Sequence, residues 1–384
     1  MKRPKCQAET PSNISEGIMK SKIKYPLIIF LLFFSISAAT KGNQKPEWKG
    51  TITKEGDVIV VKNPKEPISR DNILVLKEEL TIGGGKAIDE KIFSSVSHLN
   101  VDTLGNVYIV DRRDAQVKEF DKDGRFVKTI GRKGQGPGEF NMPSMVLFNE
   151  TGRTFYVLDL LTRRFSLFDL DGHFIRSVPV QAELVVRADI DSKGHIYYSS
   201  TSYATRQMTV NKCDADMKVI ASYGAYPLAG ADNPVGPRLH WTVSSKDEVI
   251  IGFPKNYELL FYSENGKLLK KITRTYDPVK LTAKERKEVI KSVPPTKTPA
   301  VSEYHSAYDS LFVDDDGHLF VQTWERQPVH NGWLYDVFDA EGRFIAKVVF
   351  KGRPVLIKQK KLYSLEEDED GYQVVKRYQV TWKF

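Results

Sequence analysis

One short phrase recurs along this chain and limits what it can fold into. An apolar strand, often bearing Asp, is followed by a tight turn and a second apolar strand. After a gap comes a third strand, and then Asp-x-x-Gly. The clearest copy runs from Leu99 to Asp111 and continues from Val117 to Gly124. The next runs from Val146 through Gly152 and Phe155–Asp159 to Phe165–Gly172. Repeats of about 40–50 residues built from short strands specify a β-propeller or a solenoid, not an ordinary domain.

The second strand of each unit is the most useful marker. It reads Val107-Tyr108, Phe155-Tyr156, Ile196-Tyr197, Val249-Ile250, Leu319-Phe320 and Leu362-Tyr363. Gly105, Gly152, Gly194 and Gly317 precede four of these strands, whereas Lys246-Asp247 and Gln359-Lys360 stand at the other two turns. A second marker recurs at Asp123-Gly124, Asp171-Gly172, Asn265-Gly266 and Glu341-Gly342, each ahead of an apolar strand. Two hairpins per unit give four strands per blade. The expected fold is therefore all-β: a six-bladed β-propeller with four-stranded antiparallel blades. The last unit, Val355 to Trp382, supplies only three strands. The fourth is expected from Ile73–Ile82, so the N- and C-terminal strands close the ring in one blade and leave no free sheet edge.

The remaining segments define the organisation. Lys20, Lys22 and Lys24 precede the apolar run from Tyr25 to Ala39, which ends in small residues. This pattern predicts a signal peptide over 1–39, with Met19 as an alternative start, and export to the periplasm or outside the cell. The run is shorter than the roughly 20 residues of a spanning helix, and membrane contact requires that it stay uncleaved as an anchor. Residues 40–72 form an extension with a short hairpin around Lys54-Glu-Gly56. The propeller occupies 73–384. The fourth and fifth markers are 70 residues apart, which places an insertion at about 273–308. Within it, Leu281–Val293 predicts a helix capped by Thr282 with Glu285 three residues on, stopped by Pro294-Pro295.

Composition narrows the function classes. The net charge is +8, but the lysines are scattered, which argues against a nucleic-acid partner. There are two cysteines. Cys6 is lost with the signal peptide, and no Cys follows the apolar run to take a lipid. Cys213 alone permits neither an internal disulfide nor a two-Cys metal motif, and its strand context predicts a buried thiol.

The string from Gly131 to Pro143, Gly-Arg-Lys-Gly-Gln-Gly-Pro-Gly-Glu-Phe-Asn-Met-Pro, resembles the NHL repeat. Together with the leader, the chain looks like the bacterial exported six-bladed β-propeller proteins related to NHL propellers, over about residues 60–384. The motif is sharp in the first two blades and weak in the fourth and sixth. The resemblance implies a ligand- or protein-binding module. Its alternative is an enzyme, because the architecture also serves a peptide-amidating lyase, lactonases and strictosidine-synthase-like proteins; fold does not select among them.

In a propeller, the loops before the inner strands share one face with those between second and third strands. Mapping them nominates Arg112, Arg163, Arg187, Arg206, Arg238 and Arg326 as ligand-binding residues. Arginine suits bidentate capture of carboxylate, phosphate or sulfate. The expected partner is a protein or an anionic small molecule or glycan. The competing reading has these arginines bracing the ring against carboxylates such as Asp111 and Asp159. His98, His240 and His305 also precede inner strands and are candidate metal ligands, with zinc or calcium as the cofactor of a metal-dependent lyase or hydrolase. No cofactor is certain and no catalytic residue is nominated: Gly-x-Ser-x-Gly is missing, and Asp314-Asp-Asp316 lacks an EF-hand rhythm.

Overall fold

In a computed structural model, residues 47–71, 73–85, 92–228, 233, 235–325 and 332–383 are described. The expected signal peptide and Arg326 lie outside them. Strands dominate, in six sheets. From inner to outer edge, blade 1 is Val96–Val101, Val107–Asp111, Gln116–Phe120 and Phe126–Ile130. Blade 2 is Pro143–Asn149, Thr154–Asp159, Arg164–Asp169 and Phe174–Pro179; blade 3 is Leu184–Ile190, Ile196–Ser202, Gln207–Cys213 and Val219–Pro227. Blade 4 begins His240–Val243, Val249–Gly252, Glu258–Tyr262 and Leu268–Arg274; blade 5 is Ser310–Val313, Leu319–Gln322, Trp333–Phe338 and Phe344–Phe350. Blade 6 takes Arg353–Lys358, Lys361–Glu367 and Gln373–Trp382 from the C-terminal end and Leu74–Gly83 from the N-terminal end. The expected ring closure is the antiparallel ladder from Leu74↔Trp382 to Gly83↔Val374.

Six apolar clusters each lie between two neighbouring blades, the last joining blade 6 to blade 1 through Ile82, Val375, Leu99 and Phe120. This explains the sequence pattern. A second strand has blades on both faces, so all five residues of Val107–Asp111 are buried, while Phe126–Ile130 at the rim alternates. Cys213 belongs to the cluster between blades 2 and 3, and burial pushes its thiol up to about 11.

The extension does more than form a hairpin. Thr51–Glu55 pairs with Val58–Asn63, which adds in parallel to the outer strand of blade 4 and makes that sheet six-stranded. The chain then crosses blade 5, where the N–H groups of Ile68 and Ser69 donate to Phe344 and Ile345 carbonyls. It next enters blade 6. Between blades 4 and 5, the Tyr257 hydroxyl and Arg274 Nη1 both donate to buried Asp336 Oδ2, at 2.6 and 2.8 Å. In the insertion, helix α1 (Ala283–Ser292) has the expected capping box, with Glu285 N–H donating to Thr282 Oγ1 at 3.2 Å.

Candidate functional site at the upper channel mouth

The upper face carries the loops between second and third strands and the connections into the inner strands. The β-ladder fixes which residues reach it. In blades 1, 2, 3 and 6 the top of the inner strand has a register shift, falling between Val96/His98, Pro143/Met145, Val185/Arg187 and Pro354/Leu356. A β-bulge re-aims the residue that follows it. His98, Met145, Arg187 and Leu356 therefore occupy matching seats around the channel. Arg187 sits within an inner strand, not in the loop before it as the sequence suggested.

The nominated arginines separate into two groups. Arg112, Arg163 and Arg206 are exposed in loops between second and third strands. Arg163 and Arg206 hold left-handed backbone, with φ of 49° and 54°, the place taken by Ala115 in blade 1 with φ of 53°. Arg163 and Arg206 carbonyls accept from Val180 and Leu228 N–H, so their backbones close the loops. The bracing alternative fails at the carboxylates named for it. Asp159 is held by the N–H groups of Asn141, Met142, Leu161 and Thr162. Asp111 accepts from the N–H groups of Ser94 and Ser95, and its nearby cation is Lys118 at 3.9 Å.

Arg187 and Arg238 instead reach the channel mouth, where they line one cleft with His240. The cleft measures about 480 Å³ and runs between blades 3 and 4 past Leu184, Val186, Tyr203 and Trp241. Arg353, at the start of blade 6, joins them electrostatically. Burial lowers His98 to about 3, and the charges of Arg187 and Arg353 add to the effect. Burial likewise lowers His240 to about 4, helped by Arg187 and Arg238. Burial raises Asp309 despite the opposing pull of Arg238 and His305. The mouth thus gathers three arginines and two neutral imidazoles with two buried carboxyls, Asp189 beside Arg187 and Asp309 beside Arg238, both pushed up by burial. Arg353 escaped the sequence mapping because only Lys351-Gly352 separates its strand from blade 5. Its signal was its place ahead of the sixth marker.

The histidines do not form a ligand set. His98 Nδ1 accepts a long hydrogen bond from Val146 N–H at 3.4 Å. The His240 ring lies 6.3 Å from that of Tyr308. His305 stacks on Trp324 at 4.2 Å, with Nε2 3.6 Å from Glu285 Oε2. Among the described residues, groups of three donors within 4.8 Å occur at Asp169/Asp171/His173 and Asp314/Asp316/His318. Both are hairpin turns between first and second or third and outer strands, on the opposite face. The Gly131–Pro143 loop is closed by its own side chains and a neighbour. Glu139 accepts from Gly136 N–H and Arg132 Nε, both at 2.9 Å, and Arg164 donates to three loop carbonyls.

Comparison with solved structures recovers this architecture. A Bacteroides fragilis protein described as exported aligns over 85% of this chain and 100% of its own, with a TM-score of 0.56 and 11% identity. A member of the DUF4221 family from Bacteroides vulgatus aligns over 81% and 99%, with a TM-score of 0.50 and 11% identity. A virginiamycin B lyase from Staphylococcus aureus, at a TM-score of 0.41 and 10% identity over 81% and 100%, is too distant to bear on function. At these identities the likeness is one of fold. No curated protein matches the sequence significantly. The model of a family described as a domain of unknown function, DUF4934, matches residues 89–327, more than half of the sequence. The chain belongs to the DUF4934 family, and its fold is a six-bladed β-propeller.

Proposed function

We propose that this protein is an exported binding propeller that captures an anionic group at the upper mouth of its channel. The group belongs to a small molecule, a glycan or an acidic patch on a protein. The observation that carries the reading is the gathering of Arg187, Arg238 and Arg353 from separate blades around that mouth, where their charge acts on His98 and His240. Guanidinium groups are suited to planar oxyanions, and a channel mouth with low-dielectric walls strengthens the attraction. The leader pattern over Tyr25–Ala39 supports export. The ligand atoms of His98, His240 and His305 do not all lie within 4.8 Å of one another, so the metal-dependent alternative gains no support from them.

The test is thermal stabilisation by sulfate, citrate and glucuronate at fixed ionic strength. At least one of them raises the melting temperature of the native protein, and the Arg187→Gln/Arg238→Gln double variant loses that rise. A melting temperature indifferent to all three anions refutes the reading.

A further inference from the structure

Resting on the anion-binding reading, we propose that the ligand is an amphipathic carboxylate. Its apolar body lies in the cleft between blades 3 and 4, and its carboxylate meets Arg187. Three buried polar atoms of the cleft's own lining residues have no hydrogen-bond partner: Arg187 Nε, Thr201 Oγ1 and Trp241 Nε1. Thr201 is 3% exposed and Trp241 1% exposed, so bulk water does not serve them. These atoms have no surface open to the cleft, so the polar groups offered to an occupant are the guanidinium ends of the lining residues Arg187 and Arg238.

The two arginines define what the occupant must carry. A guanidinium only donates. Acceptors are therefore required. The Arg187 guanidinium lies 5.8 Å from the Trp241 ring centre, so cation and indole share one wall. The rest of the lining is largely apolar, including Leu184, Val186, Met208 and Leu239. Leu184 and Val186 remain 40% and 50% exposed, apolar surface at the opening that an occupant would cover. A free sulfate or phosphate would lose water against these walls and gain nothing from them. A carboxylate on a hydrocarbon body meets both demands. A volume near 480 Å³ is suited to a small molecule or a single terminal residue of a peptide. The bulge between Val185 and Arg187 makes the arrangement possible, because it places Val186 and Arg187 together at the opening.

The experiment is calorimetric titration of the full exported chain with N-acetylphenylalanine, phenylacetate and octanoate. N-acetylphenylalanine amide and octanol serve as neutral counterparts. At least one acid is expected to bind at least tenfold more tightly than its neutral counterpart. Arg187→Gln is expected to weaken that acid at least tenfold. Val186→Trp, at an exposed position, fills the cleft and abolishes binding without changing the melting temperature; it also decides the matter should Arg187→Gln fail to fold. Equal binding of acids and neutral counterparts overturns the proposal. So does the absence of acid binding while sulfate or citrate still stabilises the protein, a result that leaves the anion-binding reading intact. If neither the acids nor the simple anions act, both fall. A free acid that binds where a tripeptide ending in phenylalanine does not assigns the site to small molecules, and binding of both admits chain termini.

Discussion

Asp102, Asp121, Asp191 and Asp214 show why the recurring phrase has its form. In each, Oδ1 accepts the N–H groups two and four residues on, at 2.8–3.0 Å. At the first three, glycine then supplies the positive φ that closes the turn, as at Gly105 with φ of 87°; after Asp214 it is Met217, with φ of 62°. Where the phrase decays, other atoms do the same task. Ser244 Oγ accepts from Lys246 and Glu248 N–H, and Asp247 takes φ of 60° in place of glycine. The turn therefore survived a change of residues that hid it from the motif. His98 misled in the opposite direction. A histidine ahead of an inner strand reads as a ligand, yet here its ring covers an N–H at the unpaired edge of the next blade. This has a pH consequence. His98 is held near 3, far below the unfolded value of about 6.5. The folded state thus favours the neutral ring, and its contribution to stability is complete above about pH 6.5 and is lost as pH falls toward 3. Urea denaturation from pH 7 to 4 should show declining stability. His98→Gln, which keeps an acceptor but cannot titrate, should flatten the part due to His98, leaving that of His240. An unchanged slope would show that this ring does not couple folding to protons.

At the scale of elements, helix α1 and the strands were legible because their signals are local: a capping box, a proline stop, an alternating rim strand. The inner-strand bulges were not. Their extra residues are Ser97, Ser144, Val186 and Val355, polar in two blades and apolar in the other two, so no one residue type marks them. The docking of the N-terminal hairpin was equally hidden, since parallel pairing with a strand more than 200 residues away has no local signature. Its anchor is Asn63, whose Nδ2 donates to the carbonyls of Thr273 and Gly342 and whose Oδ1 accepts from Phe344 N–H and Trp48 Nε1. Val60 and Val61 are buried beside it. A chain beginning at residue 64 should still fold. It should be less stable, because the Asn63 hydrogen bonds, the parallel ladder and the burial of Val60 and Val61 go with the hairpin. Leu268–Arg274, which carries three aliphatic side chains where Thr51–Glu55 carries one, then becomes the edge of blade 4, so the shortened chain should also associate with rising concentration. Denaturation and sedimentation measure the two effects, and an unaltered midpoint would make the hairpin ornamental.

At the scale of the molecule, both ends of the ring meet in blade 6, and the N-terminal segment reaches that blade only after bonding to blades 4 and 5. Leu74–Gly83 can therefore pair only once Gln373–Trp382, about 300 residues later in the chain, is available. A chain beginning at residue 92 should lack fixed aromatic packing in near-ultraviolet circular dichroism. A synthetic peptide of residues 73–85, supplied in excess, should restore it by filling the vacant outer place of blade 6. No recovery at millimolar peptide would mean that the preceding segment is needed to deliver the strand. Closure leaves the frame intolerant of change, because every second strand is packed from both sides. The seats after the inner-strand bulges are different. They already hold histidine, methionine, arginine and leucine within one molecule, on ladders of the same geometry. Such seats separate the inheritance of shape from the inheritance of specificity. A duplicated gene could exchange the occupant of one seat and acquire a new ligand while the ring that carries it stays the same.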